Sequence, residues 1–331
     1  DIRQDPPSSL EVEFKDITTE TKNDLDEEEF ISTQPEEYAN KPLVVVLQSS
    51  LPRSGSTVFG QLLQTMDNNS VYFFEPLWVL RNTKCLNDES CTKNFIESIF
   101  TCSFSYSFEY LIKHNDFLKK PYSPFLRELN KTAQNEVDVR ELCNSAPTRI
   151  IKLIRARLAS MEDYFNLPDY NVKIVYLTRD PRGSLKSVEN FGWNYDPQVR
   201  CGEVKSDIEA FKKLIVQYPS NILYVKYEDF CLDPEEIVKN IYKFLYGGEN
   251  LPAQTMDYLK THMTTETAGA MSTQKNSTAH FQLWRQSIKN SLLQNIEGQP
   301  ECRYLIDWMG HNLFGNDVNA TNYNITLFKD I

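Results

Sequence analysis

Leu43-Val44-Val45-Val46-Leu47-Gln48-Ser49-Ser50-Leu51-Pro52-Arg53-Ser54-Gly55-Ser56-Thr57-Val58-Phe59-Gly60-Gln61-Leu62-Leu63 is the stretch whose reading decides the fold. The apolar run Leu43 to Leu47 predicts a buried strand over 43–49, and 57–66 reads as a helix with a tight loop between them. Gly55 lets the backbone come close to an anion, while Ser54, Ser56, Thr57, Val58 and the unpaired amides of the new helix supply donors. The same hydroxyls also suit ordinary helix caps. A nucleoside-triphosphate loop requires G-x-x-x-x-G-K-[ST], with the lysine on the terminal phosphates and the hydroxyl on magnesium. Here the one cation of the loop is Arg53, ahead of the glycine. The loop therefore predicts a phosphate held without a Walker lysine and without a metal.

A second segment has the same grammar. Val172-Lys173-Ile174-Val175-Tyr176-Leu177-Thr178 is an apolar, β-rich run that ends in Arg179-Asp180-Pro181-Arg182-Gly183-Ser184, with Ser187 beyond. Pro181 suits the first position of a helix and Asp180 its cap. Arg179 then projects from the strand end, and Ser187 lies about two turns into the helix. A guanidinium and a hydroxyl so placed can clamp a second phosphate. Arg182 has no assigned role.

Outward from these two segments the pattern alternates. Strands are expected at 43–49, 71–74, 149–154, 172–178 and 222–226. Helices are expected at 57–66, near 91–112, and at 181–189, 203–218 and 234–246, then near 279–292 and 301–310. Nearly all-apolar strands separated by helical segments indicate an α/β fold, with a P-loop-like central parallel sheet flanked by helices on both faces. Such sheets bind ligands at the C-terminal ends of their strands, where both anion segments lie.

The chain has 331 residues, 40% hydrophobic and 24% charged, which is ample for one large globular domain. Its net charge of −11 is concentrated at the start. Residues 1–40 hold 13 acidic and 3 basic side chains, leaving 33 acidic and 32 basic for the remainder. The first 40 residues read as an acidic, disordered stem, the alternative being a packed helix. The catalytic domain is expected over 41–315, with a C-terminal extension over 316–331. No stretch approaches the roughly 20 apolar residues needed to cross a bilayer. Five N-x-[ST] sequons, at Asn68, Asn130, Asn276, Asn319 and Asn324, suit the secretory pathway. The seven cysteines lack paired C-x-x-C spacing and the four histidines lie far apart, so disulfides are expected and a metal site is not. The expected pairings are Cys201–Cys231, because a helix feeding a parallel strand brings those ends to one sheet edge, Cys85–Cys91, which closes a small loop, and then Cys102–Cys143. Cys302 is left over, and sequence alone leaves the connectivity open.

Together the two anion segments resemble those of sulfotransferases that use 3′-phosphoadenylyl sulfate (PAPS): the first its 5′-phosphosulfate loop, the second its 3′-phosphate strand and helix. The resemblance spans about residues 42–312. It is nearest to the Golgi carbohydrate 6-O-sulfotransferases acting on galactose, N-acetylgalactosamine or N-acetylglucosamine. That group shares the R-[ST]-G-S-[ST] loop, F-E-P-L (Phe74-Glu75-Pro76-Leu77), R-D-P-R, Y-E-D (Tyr227-Glu228-Asp229) and a late N-S followed by W-R (Asn276-Ser277, Trp284-Arg285). Cytosolic members instead carry lysine at the Arg53 position and a G-x-x-G-x-x-K end, absent here. The resemblance implies a PAPS donor with PAP as product, a glycan acceptor, sulfated or uronic-acid-containing, and no nucleic-acid partner. It also implies the Golgi lumen, with the membrane anchor of a type II protein outside this chain. A peptide or small-molecule acceptor, or a metal-dependent P-loop kinase, is the competing reading.

Sulfuryl transfer needs a donor held in line, a base for the acceptor hydroxyl and stabilisation of the leaving phosphate. Arg53 with the Gly55–Thr57 donors is expected to take the leaving-group charge, and Arg179 and Ser187 the 3′-phosphate. Arg285 is placed near a phosphate by the resemblance, beside a packed Trp284. Glu75, after the short strand and stiffened by Pro76, is the candidate general base, with aromatic neighbours expected to push its pKa up. Its alternative is a structural carboxylate paired with Arg155 or Arg157, and His280 is the second candidate base. Lys152, Arg155 and Arg157 form a basic cluster that faces either an acidic glycan or solvent. Phe100 to Tyr110 reads as core more than as sugar-stacking rings, for which Phe191-Gly192-Trp193-Asn194-Tyr195 is better placed.

Overall fold

The computed structural model describes residues 41–80, 83–105, 139–193, 195–264 and 277–329. The stem expected over 1–40, the sequons at Asn130 and Asn276, and residues 106–110 lie outside them.

Five strands form one parallel sheet: β1 (Leu43–Ser49), β2 (Ser70–Phe73), β3 (Thr148–Leu153), β4 (Asn171–Thr178) and β5 (Ile222–Lys226), in the order β2-β3-β1-β4-β5. All residues of β1, β3 and β4 are buried. This is why the strands read as continuous apolar runs rather than alternating ones: helices cover both faces. From β1 the chain first builds the β3–β2 side and then crosses to β4 and β5. The strand order thus reverses around β1, the place where open α/β sheets form a ligand crevice.

The helices around the sheet include α1 (Ser56–Met66), α2 (Pro181–Asn190), α3 (Pro197–Gln217), α4 (Tyr227–Leu232), α5 (Pro234–Tyr246) and α6 (Ala253–Met263). They are followed by α7 (Asn290–Gly298) and α8 (Pro300–Trp308). The sequence pattern anticipated α1, α2, α5 and α8 closely. Helix α3 starts earlier than expected because Asp196 caps it, accepting from the Gln198 amide, and Pro197 occupies its first turn. The helix expected near 279–292 resolves into Ser277–His280, a 3₁₀ turn over Leu283–Gln286, and α7. Helix α6 was not anticipated. Phe100 and Phe104 are core residues.

Two disulfides pair as expected, Cys85–Cys91 and Cys102–Cys143. The third corrects the sequence reading: Cys201 pairs with Cys302, and Cys231 is a buried free thiol. The physical reason is the early start of α3. Cys201 lies a turn inside the helix, on the face against which α8 packs, rather than at the sheet edge. Burial pushes the Cys231 thiol up to about 12.

The stretch expected as an extension folds back on the body. Phe328 bridges antiparallel to His311, and the Asn312 amide donates to the Leu327 carbonyl. Arg285 holds it from beneath, donating to the carbonyls of Ala320, Asn322 and Ile325 at 2.7, 2.9 and 2.8 Å. Among the sequons, Asn68 and Asn324 are exposed, whereas the Asn319 amide donates to the Phe314 carbonyl.

Candidate nucleotide and acceptor site

Every strand delivers a polar side chain to one cleft of about 670 Å³ at the C-terminal edge of the sheet. Arg53 follows β1, Glu75 follows β2, Lys152 ends β3, Arg179 follows β4 and Tyr227 follows β5.

The loop after β1 is built to leave α1 open. Gly55 sits at the helix cap with φ of 90°, and no side chain caps the helix, so its first amides face the cleft. Ser56, Thr57 and Val58 line that cleft. Ser54 does not: it is fully buried, and Ser49 Oγ donates to its hydroxyl at 2.6 Å, so it braces the loop from inside. A Cβ on Gly55 would lie 2.5 Å from the Tyr227 ring, so the close approach of that ring excludes any side chain here.

Arg53 and Ser187 meet across the cleft, Nε donating to Oγ at 3.1 Å, with the Phe191 ring 4.4 Å from the guanidinium. Arg179 donates to the Arg53 carbonyl at 2.8 Å and lies 4.5 Å from the centre of the Tyr227 ring. Its Nε is buried with no partner among the described residues. An orphaned cationic donor beside an uncapped helix N-terminus fits a phosphate-bearing ligand. Arg285 is corrected: its guanidinium is spent on backbone carbonyls. Its neighbour Trp284 lines the cleft instead, with a buried indole N–H that no described group accepts.

Glu75 is nine-tenths buried or more, and its surroundings correct the expected pKa direction. Lys152 Nζ donates to Oε1 and Arg155 Nη1 to Oε2, each at 2.8 Å. Burial pushes the carboxyl up, but the Lys152 charge and these hydrogen bonds outweigh it, and the group is held below the usual carboxylate range. Burial in turn pushes the Lys152 ammonium down. Lys152 also donates to Thr57 Oγ1 at 3.2 Å, so it links the phosphate loop to the carboxylate. The basic cluster therefore divides. Lys152 points inward, Arg155 reaches the cleft, and Arg157 turns away to Asp207 at 3.3 Å. A lysine inside an all-buried strand was the sequence signal for this inward role. His280 lines the cleft as well. Sequence reasoning gave no role to Tyr227, quoted only as part of a motif, nor to His262, whose ring stacks on Tyr258 at 3.8 Å and borders the same cleft.

The fold and this cleft define a class: a P-loop-like α/β protein with an uncapped helix N-terminus and two arginines at one cleft, and no Walker lysine. Comparison with known proteins narrows it. The profile of the sulfotransferase domain matches residues 45–292, and the chain belongs to that family of transferases. Carbohydrate sulfotransferase 3 of Mus musculus is 22% identical over 342 residues, covering 86% of this chain and 71% of its own. Carbohydrate sulfotransferase 1 of Danio rerio is 21% identical over 358 residues, covering 88% and 83%. Among solved structures, the sulfotransferase domain of the Synechococcus olefin synthase is 15% identical with a TM-score of 0.48, covering 85% of this chain and 98% of its own.

Proposed function

We propose that this chain transfers a sulfuryl group from PAPS to a carbohydrate hydroxyl, the 6-OH of a galactose, N-acetylgalactosamine or N-acetylglucosamine residue, in the Golgi lumen. The observation that carries it is one cleft that gathers two groups suited to phosphates: the open N-terminus of α1 with Arg53, and Arg179 with Ser187. The names and coverage of the curated relatives support a carbohydrate acceptor.

PAPS supplies the activated sulfuryl group; this chain's residues hold and polarise. Arg53, Lys152 and the α1 amides oppose the charge that grows on the leaving phosphate, in a site where burial strengthens each interaction. Thr57 sits between those amides and Lys152. Glu75, ionised and fixed by two cations, accepts the proton of the acceptor hydroxyl. A base of low pKa is weak by itself. It suits a loose transition state, in which the nucleophile keeps its proton until late and positioning does most of the work.

The test is donor transfer with radiolabelled PAPS over defined oligosaccharides, together with calorimetric binding of PAP. Glu75→Gln is expected to cut turnover by at least about 100-fold, the scale of a lost general base, while PAP affinity stays within a few-fold. Retained turnover would remove Glu75 from the role and leave His280 as the candidate.

A further inference from the structure

The C-terminal end of α2 ends in a geometry that its packing does not require. The Gly192 amide donates to the Glu189 carbonyl at 2.9 Å and the Trp193 amide to the Val188 carbonyl at 3.4 Å, the two bonds of a Schellman motif. Gly192 has φ of 64°, and a Cβ there would meet nothing within 4 Å, so the glycine serves the left-handed turn and no close approach. In such motifs the residue after the glycine usually folds its apolar side chain onto the last helical turn. Trp193 stays half exposed instead: it is 49% exposed, lines the cleft, and packs at a tilt against Phe191, with ring centres 5.4 Å and planes 37° apart. Phe191 in turn lies against the Arg53 guanidinium. The result is a ladder, Arg53–Phe191–Trp193, that runs from the phosphate loop to solvent.

An exposed indole on a rigid backbone turn at a cleft mouth presents a flat apolar face with little entropy left to lose on binding. The face of a hexopyranose, with its axial C–H groups, matches that surface, and its hydroxyls find donors in Arg155 and Arg200 on the same cleft. Resting on the carbohydrate acceptor proposed above, we infer that Trp193 is the acceptor platform: a sugar ring of the glycan stacks on its indole. Phe191 holds that platform in register with the donor end. Trp193 sets acceptor affinity and takes no part in donor binding.

The experiment measures initial rates for wild type, Trp193→Phe, Trp193→Leu and Trp193→Ala on oligosaccharides ending in galactose, N-acetylgalactosamine or N-acetylglucosamine, with PAP affinity measured in parallel. For Trp193→Leu and Trp193→Ala the acceptor KM rises about tenfold, the scale of one lost aromatic stack, with kcat within about twofold and PAP affinity unchanged. Trp193→Phe recovers most of the loss. An acceptor KM for Trp193→Leu equal to wild type would overturn the inference, as would a loss confined to kcat and PAP affinity. If wild type sulfates no sugar in the set, the functional reading fails and the platform with it, a result separable from a silent Trp193 in an active enzyme.

Discussion

At Arg53 and Glu75 the backbone lies at φ of 64° and 46°, a left-handed region that side-chain-bearing residues seldom occupy. Each such residue costs on the order of 1–3 kcal/mol unless its surroundings fix it, and strain of this kind gathers at functional sites. Here the two expected catalytic residues are two of the three described non-glycine residues with positive φ. Their side chains show what holds them: Ser187 and Phe191 on Arg53, Lys152 and Arg155 on Glu75. The ion pair has a kinetic consequence. A carboxyl held below its ordinary value stays ionised through neutral pH, and its basic form is lost only as pH falls through that lowered value. The acidic limb of the kcat/KM profile is therefore expected below about pH 4.3, the unperturbed glutamate value, and Lys152→Met, which removes the charge, moves it upward. A wild-type limb between pH 6 and 7 would show that a group other than Glu75 sets it.

At the scale of the element, α2 is held by a buried charge cluster at its N-terminus. Asp180 accepts from the Arg182 amide as cap and from the Arg182 guanidinium at 3.0 and 2.8 Å. Arg182 also donates to Glu297 of α7 at 2.7 Å and to the Asn312 carbonyl at 2.8 Å. His311 lies 3.2 Å from Asp180, and Glu228 accepts from the Asp180 amide at 3.0 Å. Thus the arginine left without a role in the sequence ties α7 and the C-terminal segment to the turn that carries Arg179. Removing one partner of a buried ionic group leaves the others uncompensated, so Arg182→Met is expected to cost about 3–5 kcal/mol by denaturant unfolding. Against burial, the Arg182 charge and His311 hold the Asp180 carboxyl far below its usual range. Its contribution is thus present above the unfolded carboxylate value and lost as pH falls below about 4. Unfolding midpoints of wild type should fall in that window, and those of Asp180→Asn should fall less. Equal acid slopes would assign the sensitivity to other carboxylates.

For the whole molecule, the sheet and the two loops that meet in the cleft were legible because their signals are local. A strand, a turn and a helix start occupy about 15 consecutive residues at each of the two loops, and burial on both sheet faces writes itself as an apolar run. What failed depends on contacts distant in sequence. The partner of Cys201 is 101 residues away and follows from α8 packing on α3. The work of Arg285 follows from carbonyls supplied 35 to 40 residues later. The depressed Glu75 carboxyl follows from a lysine 77 residues on, in the next strand of the chain, which parallel pairing of β2 with β3 brings alongside. Motif reading named the carboxylate but not its electrostatics, because a resemblance fixes residue types and leaves their neighbours unstated.

The proposed function rests on one arrangement: two adjoining loops at the C-terminal edge of the sheet, proposed to take the two ends of an adenosine bisphosphate. A crystal structure with PAP bound tests it most directly. The account predicts the 5′-phosphate on the α1 amides with Arg53, and the 3′-phosphate on Arg179 and Ser187. PAP bound outside this cleft, or bound within it with Arg53 and Arg179 both turned away from its phosphates, would contradict it.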